Sequence, residues 1–140
     1  MIYHLKIVVN NKNYSKVCYI NPMKKINLIL KAEALIFLII TILVYSAVGA
    51  SWWMFLILLF VPDIFMLGYL KNPKTGACVY NIGHTYVTPF LLIVIFTIFH
   101  IFPLLPILLI WLAHISMDRV LGYGLKLETG FKNTHLQDTH

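Results

Sequence analysis

Charge is what this sequence lacks. Asp, Glu, Lys and Arg make up only 11% of its 140 residues, and five of those residues are acidic. Soluble domains run near a quarter charged, roughly twice this share. With 60% hydrophobic residues and a mean hydropathy of +0.83, the chain is excluded from the water-soluble globular class and placed among membrane proteins. Cysteine is almost absent. Cys18 and Cys78 are too few for a disulfide framework, and no CxxC or zinc-finger spacing occurs. Period-two alternation is missing from the long apolar runs, which excludes a β-barrel. No cleavable signal peptide is expected, because the first apolar run is too long for a typical h-region and three more follow it. The formal net charge is +6, but the positive residues flank apolar runs. They therefore read as topology signals and contacts to anionic headgroups, not as a nucleic-acid surface.

What is present is four apolar runs, at 29–49, 52–70, 79–99 and 103–122. Each is long enough to cross a ~30 Å hydrocarbon core as a helix. The links Gly49-Ala50-Ser51, Lys71 to Gly76 and His100 to Pro103 are short and require antiparallel neighbours. The expected fold is an all-α membrane protein, four transmembrane helices in an up–down antiparallel bundle. Lys6, Lys12, Lys16, Lys24, Lys25 and Lys31 precede or enter the first run, Lys71 and Lys74 lie in the second link, and Arg119, Lys126 and Lys132 end the fourth run or follow it. With four spans, all fall on one side. That side is expected to be cytoplasmic, giving N-in/C-in in a bacterial-type inner membrane. Trp52 and Trp53 then mark the outer interface, and Tyr69, Tyr80 and Tyr123 the inner one. The domains expected are an extension over 1–22, a transmembrane domain over 23–124 and a cytoplasmic tail over 125–140. Residues 1–22 read as a weak strand–turn–strand, and Met23-Lys24-Lys25 as a natural start.

Against this background the ionisable residues inside the runs stand out: Asp63, His84, His114 and Asp118. Such groups at membrane depth are costly and are commonly functional. At ~1.5 Å per helical residue, Asp63 lies roughly 9 Å from Tyr69, His84 roughly 8 Å into its run, and Asp118 and His114 roughly 6 and 12 Å before Gly122. Glu33 falls in the same cytoplasmic-side slab. His114 and Asp118 share a helix face at i,i+4. Asn81, His84, Thr85 and Thr88 share another at helical spacing. The site expected from these residues is a divalent-metal centre, zinc first, with ligands His84, His114 and Asp118 and with Asp63 as fourth ligand or general base. Glu33 is a second candidate to take a proton from an attacking water. Arg119 and Asn81 are candidates to orient substrate, and His135 to act as a lid or extra ligand. Gly122-Tyr123-Gly124 reads as a helix stop. Met54, Met66 and Met117 read as ordinary packing.

Residues 31–136 also resemble a known family. The resembling stretches are Ser51-Trp52-Trp53, Val61-Pro62-Asp63-Ile64-Phe65-Met66-Leu67-Gly68-Tyr69, Tyr80-Asn81-Ile82-Gly83-His84-Thr85-Tyr86, Trp111-Leu112-Ala113-His114-Ile115-Ser116-Met117-Asp118-Arg119, Gly122-Tyr123-Gly124-Leu125-Lys126 and Phe131-Lys132-Asn133-Thr134-His135-Leu136. They are similar to small integral membrane proteins catalogued as domain of unknown function 4260. The resemblance implies a membrane bundle and no particular activity. A looser likeness joins Asp63, His84-Thr85 and the His114/Asp118 pair to bacterial inner-membrane metal-dependent hydrolases. The chain lacks the Arg that adjoins the first His in that group.

The function expected is a metal-dependent hydrolase of an amphiphilic or lipid substrate. A proton- or solute-handling membrane protein and a structural subunit without catalysis stand beside it. Expected partners are membrane lipids and further copies of the chain in a homo-oligomer, with no nucleic acid.

Overall fold

The computed structural model describes residues 22–128 together with Thr134 and Leu136. The strand–turn–strand expected before Pro22 and the lid expected at His135 lie outside the described residues. Among the described residues the fold is all-helical, with five α-helices, two 3₁₀ segments and no strand. Helix α1 (Pro22–Val48) ends where Gly49, at φ +74°, turns the chain and donates to the Ser46 carbonyl at 3.1 Å. A left-handed residue at a helix end is where glycine costs least.

Helix α2 (Trp52–Leu58) runs into a 3₁₀ segment over Val61–Leu70, ten residues long. Runs of 3₁₀ beyond four residues are uncommon, and this one has Pro62 in its first turn, where its missing N–H costs least. Because 3₁₀ rises ~2.0 Å per residue against ~1.5 Å for α, residues 52–70 reach about 30 Å. The same stretch lifts Asp63 to about 12 Å from Tyr69, not the roughly 9 Å that α geometry gives.

Its three residues per turn sort the side chains into ridges. Val61, Ile64, Leu67 and Leu70 are all exposed, whereas Pro62 is buried and Phe65 and Gly68 are half-buried. A two-residue link follows, and Asn72 caps α3 (Pro73–Gly83) by accepting the Thr75 N–H at 2.8 Å. The link is shorter than the six residues expected, because Pro73 is already helical. Helix α3 packs closely on the 3₁₀ segment through its glycines. A Cβ on Gly68 would sit 2.8 Å from Val79 Cβ, and Cβ atoms on Gly76 and Gly83 would strike the rings of Tyr69 and Phe65. Small residues permit such approach in membrane bundles.

The third run is not one helix. Residues 84–86 break it, and α4 (Val87–Ile98) leaves α3 at 43°. A continuous helix over 79–99 would carry Pro89 in its interior, without a donor and against a carbonyl. The break moves Pro89 into the first turn of α4. Thr88 Oγ1 then donates to the Ile82 carbonyl across the gap at 2.6 Å. The single face expected for Asn81, His84, Thr85 and Thr88 therefore does not form. With α3 starting at Pro73, His84 lies about 16 Å along the axis, twice the expected distance. Tyr80 is likewise two turns inside the helix and only 2% exposed, not an interfacial anchor.

A 3₁₀ turn (Phe102–Leu104) leads into α5 (Leu105–Leu121). Helix α5 is the central element. Half of Phe102–Leu121 is buried, against 17% of the α1 span and 11% of Trp52–Leu70. One half of its length packs into an apolar cluster of Tyr45, Phe55, Leu109, Ile110 and Ala113. Lys24–Val48, Trp52–Leu70 and Phe102–Leu121 are long and apolar enough to cross a membrane, and the bent α3–α4 pair makes a fourth if it is one span. Trp53, Ile57, Leu70, Val87 and Ile98 are each at least 66% exposed. An apolar surface of this kind belongs against lipid.

Helix α5 stops at Gly122, φ +94°, where Gly122 N–H donates to Arg119 O at 3.1 Å and Tyr123 N–H to Asp118 O at 2.8 Å. This is a Schellman closure. The chain then runs back beside α3. Asn81 accepts the Lys126 N–H at 2.7 Å and donates to the Lys126 carbonyl at 2.9 Å. Lys126 pairs with Thr134 in an antiparallel bridge, and Asn27 Nδ2 on α1 donates to Leu136 O at 3.0 Å. The described part of the tail is thus strapped to the bundle, with Thr134 fully buried.

Candidate metal centre

Three elements deliver the four polar side chains singled out by the sequence. The 3₁₀ segment supplies Asp63, the α3–α4 break supplies His84, and one face of α5 supplies His114 and Asp118. One ligand atom from each lies within 4.8 Å of the other three. The two Nε2 atoms are 3.2 Å apart. Asp63 Oδ1 is 3.5 Å from His84 Nε2 and 3.6 Å from His114 Nε2, and Asp118 Oδ2 is 3.8 and 3.7 Å from the same atoms.

Those lengths discriminate between two arrangements. A carboxylate–imidazole hydrogen bond closes to about 2.7–3.2 Å, so all four N···O separations are too long for one. Four ligands about 2.1 Å from a zinc ion in a tetrahedron stand about 3.4 Å from each other. Five of the six edges, at 3.2–3.8 Å, match that spacing, and the sixth, between the two carboxylates, lies within 4.8 Å. The donor set, two imidazoles and two carboxylates, also suits zinc and its neighbours better than calcium, which takes six or more oxygens. The group can hold a metal ion.

Tyr80 organises the centre. Its carbonyl lies 3.0 Å from His84 Nδ1, so Nδ1 carries the proton and the Nε2 lone pair faces the cluster. Its ring stacks on His84 at 3.7 Å between centroids, and its hydroxyl donates to Asp118 Oδ2 at 3.3 Å. Tyr80 lies four residues before His84, on the same face of α3. That spacing is the sequence signal that would have found it.

The side chains differ in access. The two histidines are 1–2% exposed, Asp118 is 14% exposed and Asp63 37%. A cavity of about 380 Å³ opens onto the carboxylates. It is lined by Asp63, Asp118 and Lys126, with Phe60, Met66 and Met117 among its apolar wall. Phe60, Asp63 and Met66 form one three-residue ridge. Met66 and Met117 are therefore cavity walls as well as packing. The Lys126 ammonium lies 5.3 Å from the Tyr80 ring centroid. Burial holds its pKa below the ordinary lysine value, and the Asp118 and Asp63 carboxylates pull it back up.

Glu33 is not brought to this group. It is exposed and lines a separate cleft with Ala34, Phe37, Tyr86, Arg119 and Leu136. Arg119 does not reach the cluster as a donor. Its two terminal nitrogens donate to the His84 carbonyl at 3.0 Å and the Tyr123 carbonyl at 3.1 Å. It ties the broken end of α3 to the end of α5. Asn81 is engaged with Lys126, as described. Arg119→Ala is expected to cost about 2–4 kcal/mol, the loss of two charge-assisted bonds in a half-buried site. Arg119→Lys recovers less than half, since one ammonium cannot reproduce a planar fork. Unfolding in mixed micelles measures both.

Residues 27–139 match the model of a family described as Domain of unknown function (DUF4260). No curated protein and no solved structure matches the chain.

Proposed function

Because the chain belongs to the DUF4260 family, whose description names no activity, we propose a function from the geometry of its polar centre: an integral-membrane metal-dependent hydrolase of an amphiphilic substrate. The observation that carries the proposal is the set of N···O separations, too long for hydrogen bonds and suited to ligands sharing one ion. His84, His114 and Asp118 hold the ion. Zinc is the first candidate, supplying Lewis acidity and water activation near neutral pH. Asp63, as near as Asp118 but more exposed and on the cavity wall, serves as general base or as fourth ligand. In hydrolysis the water oxygen would bond to the electrophilic centre as the bond from that centre to the leaving oxygen breaks, with Asp63 taking one water proton and passing it to the departing oxygen. The apolar cavity wall suits a substrate that enters laterally from lipid.

The topology proposed with this function is four antiparallel spans with both termini cytoplasmic, in a bacterial-type inner membrane. Residues 23–124 form the membrane domain and 125–140 its cytoplasmic appendage. A homo-oligomer is compatible with this arrangement. Elemental analysis of detergent-purified protein, handled without chelators, is expected to give about one divalent ion per chain. Less than a tenth of an equivalent would overturn the reading in favour of a metal-free proton relay, which proton flux in proteoliposomes would then reveal.

A further inference from the structure

A second cleft lies along the seam between α1 and α5, at the end where the α1 span begins. It encloses about 330 Å³, room for a headgroup and not merely an ion. Helix α1 lines it with Lys24, Asn27, Leu28 and Lys31, and the stop of α5 adds Leu121 and Gly122. Offsets of three, four and seven set the α1 residues on one face, with Lys24 and Lys31 about 10 Å apart along the axis. Leu136 closes the cleft, and Asn27 Nδ2 pins its carbonyl at 3.0 Å. Lys31 is half-buried, whereas Lys24 and Lys25 are exposed. Its side chain lies over the end of α5: a Cβ on Gly122 would stand 3.0 Å from Lys31 Nζ and 3.3 Å from its Cε. The glycine that closes α5 therefore also leaves the space for the ammonium, and the negative end of the helix favours a cation there. A lysine placed in this way has less rotamer freedom to lose when a ligand arrives.

The walls beside these ammonium groups are apolar and open. Leu28 is 68% exposed and Leu121 62%. A water-soluble anion gains nothing from such a pair, but a lipid brings an anionic head and apolar chains on one molecule. Scattered lysines such as Lys25 and Lys71 gather a diffuse layer of anionic lipid. Two lysines on one face of a walled cleft can hold a single molecule in one place. We propose that this cleft is a binding site for one anionic phospholipid, with its phosphate between Lys24 and Lys31 and its chains along Leu28 and Leu121. Lysine meets phosphate as a point charge, which tolerates a headgroup of any orientation. None of the four metal-centre residues lines the cleft, so the proposal is independent of whether that centre holds an ion.

Native mass spectrometry of the full chain, released from detergent micelles doped with phosphatidylglycerol, counts the lipids on each molecule. One phosphatidylglycerol is expected to bind saturably, at concentrations about tenfold below those that add further copies. The double variant Lys24→Gln/Lys31→Gln is expected to weaken that first step on the order of tenfold or more. Lys25→Gln/Lys71→Gln removes the same charge from exposed positions outside the cleft and should stay within about twofold of the parent. Equal weakening in both variants, or no distinct first step in the parent, overturns the proposal. Should the cleft variant fail to fold, Lys24→Gln against Lys25→Gln carries the comparison, with about a threefold loss expected for the former only. Phosphatidylcholine, which has a phosphate but no net charge, is expected to bind about tenfold more weakly, and equal binding also overturns the proposal. Inorganic phosphate at the same concentration as the lipid should leave the first adduct in place. If it displaces the lipid, the cleft belongs to a water-soluble anion and the lipid assignment fails.

Discussion

His114→Ala is expected to bind zinc at least about a hundredfold more weakly than the parent chain. Loss of a groups-away hydrogen-bond partner already costs a metal site 10–100-fold, and loss of a ligand costs more. The imidazole supplies one of the two nitrogens at the centre and three of its edges. Removing it leaves Asp63 and Asp118 facing each other with one histidine between them, so the ion loses a donor and the remaining carboxylates lose a neighbour. Competition against a coloured chelator reads the affinity directly. His100→Ala is the matched control, because His100 is exposed in the turn after α4, at φ +56°. It should retain full binding. Because His114 is buried, the alanine also opens a space in α5. Asp118→Asn answers that difficulty, since it keeps the size of the side chain and its contact with Tyr80 while removing the charge. If Asp118→Asn folds and still carries a full equivalent of metal, the ligand assignment fails.

A large effect on stability is also expected at a residue without a side chain. Gly83→Ala should lower the unfolding free energy by about 2–3 kcal/mol, because the added methyl meets the Phe65 ring and the core around it has no slack. The site cannot yield easily. The Gly83 carbonyl accepts the Trp111 indole N–H at 2.7 Å, and Phe65 stacks on Trp111 at 5.8 Å between centroids. The backbone is therefore held from α5 while the ring is held from the 3₁₀ segment. A signature separates overpacking from a generic helix effect. Phe65→Ala destabilises the parent, yet in the Gly83→Ala background it should cost less, giving a coupling on the order of 1 kcal/mol or more in a double-mutant cycle. Additive effects would reject the contact as the cause. His84 follows directly in the chain, so Gly83→Ala should also weaken metal binding on the order of tenfold.

The contrast between polar residue and apolar surroundings was enough to find Asp63, His84, His114 and Asp118 in the sequence. Nothing else at those positions competes for attention in lipid. Depth along the chain, however, says nothing about direction around a helix axis. Glu33 shares the expected slab but faces the cleft that holds Tyr86 and Arg119. Pro89 broke the third run because a proline's position within a helix matters more than the hydropathy around it. Apolarity sets the start of the third run at residue 79 and so places Tyr80 at the interface, whereas the structural start is the Asn72 cap and Pro73. Lys126 had no local signal. Its place depends on a return of the chain to Asn81, 45 residues earlier, which no periodicity encodes.

The 3₁₀ segment gives Val61–Leu70 a reading frame. Each residue sits about 120° from the next, so the stretch is spelled in triplets with one letter for lipid, one for packing and one for the cavity side. A single inserted or deleted residue ahead of Asp63 would be a frameshift: the carboxylate would turn into the bilayer or into α5, and every neighbour would change trade with it. Insertion of three residues would instead keep the frame and displace Asp63 by about 6 Å along the axis. Length changes here should be tolerated by face only in multiples of three, an arithmetic rule that an α-helix, with its fractional turn, never imposes so sharply.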